Sequence, residues 1–140
     1  MFGVGLLLPL QAGINASLRK YLAHPLWAGV GNFTVGLLAI VLIALLTRVP
    51  APALGHLAHA PWWAWLGGLL GATLVVTSLI AAPVLGAALL IACLVGGQLV
   101  SSVVIDHMGW AGYPVKPIDA GRVIGVILLI AGVLLIQRSA

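Results

Sequence analysis

Charge is confined to the ends of apolar runs in this chain: six basic and two acidic residues stand among 140, and none lies in the middle of a run. With 63% apolar residues and a mean hydropathy of +1.26, so short a chain exposes too much apolar surface to fold as a water-soluble domain. A hydrocarbon core about 30 Å thick takes roughly 20 helical residues to cross. Five crossings and their connections therefore use the whole chain.

The runs place those crossings at 2–22, 26–47, 62–82, 84–105 and 120–137. Arg19 and Lys20 close the first, and the His24-Pro25 pair makes the turn, because a residue before proline is driven out of the helical region. The first run has no basic start and no small-residue cleavage site, so the expectation is a retained helix rather than a cleaved signal. The loop 49–61 holds three of the eight prolines and stays outside the lipid. From Trp62 to Ile105 the chain is apolar for about twice the length one span can use, so a tight hairpin at Pro83 is expected, with one kinked helix lying partly in the interface as the alternative. Asp119 stands as an N-cap for the last helix and Arg138 at its end, each suiting the helix dipole.

The basic residues divide evenly. Arg19, Lys20 and Arg138 fall on one side of the membrane, and Arg48, Lys116 and Arg122 on the other. Orientation follows differences in Lys and Arg between short loops, and here the difference is nil. The expectation is a protein that inserts both ways up. Two opposed copies of a five-helix unit then form an antiparallel homodimer, a ten-helix bundle with the symmetry of inverted-repeat transporters, whose substrate sites lie near mid-membrane between the repeats. No internal repeat or second domain is visible, so the expected unit is a single domain over 1–140 that reaches this symmetry by pairing.

Four stretches carry a resemblance: Gln11-Ala-Gly-Ile-Asn15, Ala82-Pro83-Val-Leu-Gly-Ala, Gly96-Gly-Gln98 through Asp106-His-Met-Gly109, and Gly121-Arg122-Val-Ile-Gly125. In these, over nearly its whole length, the chain resembles the small YdcZ-type membrane proteins of the drug/metabolite transporter superfamily. The resemblance implies a multi-pass protein of the bacterial inner membrane, similar to one half of a ten-helix metabolite exporter.

Polar groups inside lipid usually face a partner helix or a wet cavity. Gln11 and Asn15 share a helical face with Arg19; Gln98, Ser101 and Ser102 lead toward Asp106; Thr73 and Thr77 make a third stripe, and Asn32 enters with the second helix. These are the candidate cavity residues, with Arg19 and Asp106 as candidates for coupling or gating; bonding between neighbouring helices is the alternative role. Because no carboxylate is embedded mid-helix, a proton-coupled exporter of cations is disfavoured, and a neutral, zwitterionic or amphiphilic small molecule is the expected substrate. Gly67 and Gly71, and Gly121, Gly125 and Gly132, have the small-residue spacing of helix contacts, within a protomer or between protomers. Trp27, Trp62, Trp63, Trp110 and Tyr113 suit an interfacial belt, while Phe33 lies deeper.

The sequence argues against other classes. It offers no paired carboxylates, no Ser/His/Asp grouping and no nucleotide loop, so an enzyme and a bound cofactor are not expected. His56 and His59 without a third ligand make a poor metal site. Lone Cys93 reads as a small core residue. Basic residues split between opposite faces make no nucleic-acid patch despite the net charge of +4. Lipid, a second copy and a small molecule are the expected partners, and an accessory subunit that binds another membrane protein is the alternative function.

Overall fold

The computed structural model describes residues 2–52, 55 and 59–139, and their regular structure is helical throughout. His56 and most of the middle of the 49–61 loop lie outside the described residues. The helices are α1 (Phe2–Gly5), α2 (Leu7–Leu22), α3 (Pro25–Leu46), α4 (Leu66–Met108) and α5 (Ala120–Arg138), with short 3-10 turns at Trp62–Trp65 and Trp110–Gly112. Three helical stretches are long and apolar enough to cross a membrane: Pro25–Leu46, Trp62–Met108 and Ala120–Arg138.

Proline and glycine decide where these helices begin and break. Pro9 has no N–H to give the carbonyl four residues back, that of Gly5, and the helix is interrupted at Leu6. The run 2–22 is thus two pieces, of which α2 has 16 residues. His24 is extended (φ −139°, ψ 137°), as its place before Pro25 demands, and its Nδ1 accepts the Leu26 N–H at 3.2 Å, capping α3.

α4 runs for 43 residues, roughly twice the number that crosses a hydrocarbon core. Its backbone leaves the helical region at Gly86 (φ 72°, ψ 168°), a conformation open in practice to glycine alone, which divides it into two span-length halves. The expected break at Pro83 therefore falls three residues later, and Pro83 itself lies inside the helix.

The chain divides into two compact units. One is Gln11–Pro83, which holds most of α2, all of α3 and the first part of α4. Its helices meet at glycines: a Cβ on Gly31 would touch Leu18 and Leu22 of α2 at 3.5 and 3.8 Å, and one on Gly29 would touch Val76 and Leu79 of α4 at 3.5 and 3.9 Å. Ala28 and Leu79 are fully buried there. The other unit is Met1–Leu10 with Val84–Ala140, in which α4 approaches α5 where Gly96 lies 3.6 Å from Val133 as a Cβ would meet it, and Leu90 is buried. Most other large apolar side chains, and the interfacial tryptophans, are exposed, as lipid-facing residues must be.

Candidate functional site

In the 11–83 unit the polar stripe of α2 is unevenly covered along its length. Gln11 is exposed, whereas Asn15, one turn on, is the buried polar residue of the described chain at 9% exposure. Another turn on, Arg19 is half-buried, and its Nη1 donates to the backbone carbonyl of Leu79 in α4 at 2.9 Å. Asn32 is half-buried on α3; Thr73 and Thr77 are exposed on α4. The hydroxyls of Thr73 and Thr34 are occupied locally, donating to the carbonyls of Leu69 and Val30 one turn back at 3.0 and 2.8 Å. Beside them an open groove of about 530 Å³ runs between α3 and α4, lined by Leu26, Gly29, Phe33, Thr34, Ala72 and Val76 among others. Phe33 thus lines a groove rather than filling a core.

The second unit gathers Asp106, Lys116, Asp119 and Arg122 where α4 ends and α5 begins, with Arg138 at the other end of α5. Asp106 and Arg122 form an ion pair at 3.3 Å, each about a quarter exposed. The Asp106 carbonyl accepts the Lys116 N–H at 2.8 Å, the Ile118 N–H donates to His107 Nδ1 at 3.4 Å, and Asp119 caps α5 by accepting the Arg122 N–H at 2.8 Å. Together these bonds tie the extended link 113–119 to the end of α4. Gly109 makes the turn possible: its φ of +65° is left-handed, and a Cβ there would sit 2.7 Å from Val115 Cγ2.

Of the other candidates in this unit, Gln98, Ser101 and Ser102 are all exposed, and the two serines donate to the carbonyls of Gln98 and Leu99 in their own helix. Two open grooves lie between α4 and α5. One, of about 630 Å³, is lined by Pro9, Ala88, Ile91, Val95, Leu129 and Gly132 among others; the other, of about 480 Å³, includes Cys93, Gly97, Ser101 and Ile130. Cys93 is exposed on this groove rather than packed in a core.

Within the chain, the described helix contacts fall at other glycines than those the spacing picks out. A Cβ on Gly67, Gly71, Gly125 or Gly132 would meet nothing within 4 Å, and Gly121 faces only the cap oxygen of Asp119. Gly29, Gly31 and Gly96 bring the helices together instead. Spacing finds glycines that share a face but not which face is covered. The Leu79 carbonyl was likewise not legible, because by sequence Pro83 stands in a turn; with Pro83 inside α4, its missing N–H singles out the carbonyl four residues before it. Among the described residues no group of three or more His, Cys, Asp or Glu could hold a metal.

Long apolar helices, aromatic side chains at their ends and charges gathered at helix termini define an integral membrane protein that crosses the bilayer several times. The chain matches, over residues 1–135, the family model described as "Putative inner membrane exporter, YdcZ", and it belongs to that family. It is also similar to Inner membrane protein YdcZ of Escherichia coli (strain K12), with 35% identity over 79 residues, 56% of this chain. That similarity spans 52%, about half, of the relative's length. No solved structure matches the chain. The protein is a multi-pass protein of the bacterial inner membrane.

Proposed function

We propose that the chain is a small-molecule exporter that works as an antiparallel homodimer, each copy supplying five membrane crossings in a single domain and one half of a ten-helix, inverted-repeat bundle. The observation that carries the reading is membership, over residues 1–135, of a family described as an inner membrane exporter. The interhelical grooves support it, since volumes of about 480 to 630 Å³ fall within the usual range of small-molecule sites, roughly 300 to 1,000 Å³. Their linings are apolar with one hydroxyl in two of the three, which suits a neutral, zwitterionic or amphiphilic solute with a substantial apolar part.

Pairing is supported by open helix faces. Among the described residues nothing lies within 4 Å of where a Cβ on Gly67, Gly71, Gly125 or Gly132 would stand, which leaves room for another helix to approach closely. The even division of Arg19, Lys20 and Arg138 against Arg48, Lys116 and Arg122 supports insertion in both orientations. Gln11, Asn15, Asn32, Thr73, Thr77, Gln98, Ser101 and Ser102 remain the candidates to line the pathway once two copies meet.

Two measurements test this. Reporters active only in the cytoplasm or only in the periplasm, fused separately to the C-terminus, both give signal if the protein inserts both ways up; a signal from one alone overturns dual topology. Liposomes carrying purified protein are then loaded with labelled neutral, zwitterionic and amphiphilic solutes. Protein-dependent release of at least one is expected. Release no faster than from empty liposomes for every solute overturns export and favours the accessory-subunit alternative. Gly125→Leu is expected to weaken the dimer in cross-linking while leaving helix content unchanged.

A further inference from the structure

A proline inside a helix leaves the carbonyl four residues earlier without its donor. In α4 the proline is Pro83 and the stripped carbonyl is that of Leu79, a residue only 1% exposed. Neither water nor lipid can make that loss good at such a position, and an unmatched carbonyl in an apolar setting is strongly unfavourable. The group that reaches it comes from 60 residues away: the Arg19 guanidinium of α2, at 2.9 Å. The helix then continues past Pro83 and yields only at Gly86.

We infer that Arg19 is the replacement donor for the N–H that Pro83 lacks, and that this bond clamps α2 to α4 and sets the position of Asn15, the buried amide one turn earlier on the same face. The assignment joins three independent facts: the proline's register, the burial of the acceptor and the identity of the donor. Arginine suits the task. Its stem can lie along apolar surface while a rigid, permanently charged fork delivers the N–H. The two acidic residues of the chain are engaged elsewhere, Asp106 with Arg122 and Asp119 as the cap of α5, so the described polar partner of Arg19 is backbone. Arg19 is therefore a positioning residue rather than a coupling charge. Only the consequence for solute movement rests on the proposed export role.

The test is a double-mutant cycle on purified protein in detergent, read by thermal unfolding. Arg19→Met keeps the stem and removes the donor, and is expected to lower the melting temperature, with Arg19→Lys recovering part of the loss. Pro83→Ala returns an N–H to the Leu79 carbonyl, so in that background Arg19→Met should lower the melting temperature much less. Whatever else Pro83→Ala changes is common to both arms and cancels. Equal lowering in both backgrounds, or no lowering in the parent, overturns the clamp. If Arg19→Met alone yields no folded protein, adding Pro83→Ala should restore a monodisperse species, and failure to restore it overturns the clamp as well. Absence of solute release from liposomes carrying the parent protein strikes the export role while leaving the melting result intact.

Discussion

Pro9 and Pro83 remove the same hydrogen bond from two helices and leave opposite results. At Pro9 the helix parts at Leu6, and the stripped carbonyl belongs to Gly5, which is exposed near the start of the chain. At Pro83 the helix carries on for three residues, because the stripped carbonyl of the buried Leu79 receives Arg19. The difference lies in the surroundings of the acceptor. Where solvent or headgroups can reach it, the chain lets the helix break; where they cannot, a side chain from another helix closes the gap. A third freed carbonyl, that of Asp106 near the end of α4, is met by backbone, the Lys116 N–H at 2.8 Å.

Substitutions that remove or restore these donors sharpen the contrast. The largest effect is expected for Arg19→Met, about 1.5 to 3 kcal/mol of stability, as for loss of a charged donor from a buried acceptor; chemical or thermal unfolding in detergent measures it. Gly109→Ala comes next, at about 1 to 2 kcal/mol for a left-handed alanine, and more if Val115 cannot move aside. Since Gly109 makes the turn that brings Lys116 to the Asp106 carbonyl, faster hydrogen exchange at the Lys116 amide should accompany it. Asp106→Asn should cost less than about 1 kcal/mol, because its ion pair with Arg122 is partly exposed and the backbone bond survives. The smallest change is expected for Pro9→Ala, which joins α1 to α2. A proline in the first turn interrupts few bonds, so a slight gain in helical circular dichroism with a shift below about 1 kcal/mol is expected. A loss from Pro9→Ala as large as that from Arg19→Met would break the comparison.

Part of the site could be read from residue order alone. Asp119 announces its cap, since a carboxylate just before an apolar run has one evident use. Pro25 announces the start of α3 in the same way. Pairing is different. Asp106 and Arg122 are separated by the 113–119 link, and only the turn at Gly109 brings them into contact. Ser101, Ser102 and Thr73 looked like cavity polarity, yet each donates to its own helix, an option any helical hydroxyl has and periodicity cannot exclude.

Composition and the placement of charge by themselves determined that this chain belongs in a bilayer. Apolar length measured against membrane thickness is a one-dimensional property, and no packing arrangement can reverse it. Resemblance along the chain likewise pointed to an exporter family. Tertiary structure decided which polar groups are spoken for. It moved the break in α4 from Pro83 to Gly86, assigned the helix contacts to Gly29, Gly31 and Gly96, and spent Arg19 on the carbonyl of Leu79. The glycine contacts and the Arg19 bond depend on which groups meet between helices, the last across 60 residues of chain, and such contacts exist only once the helices have packed.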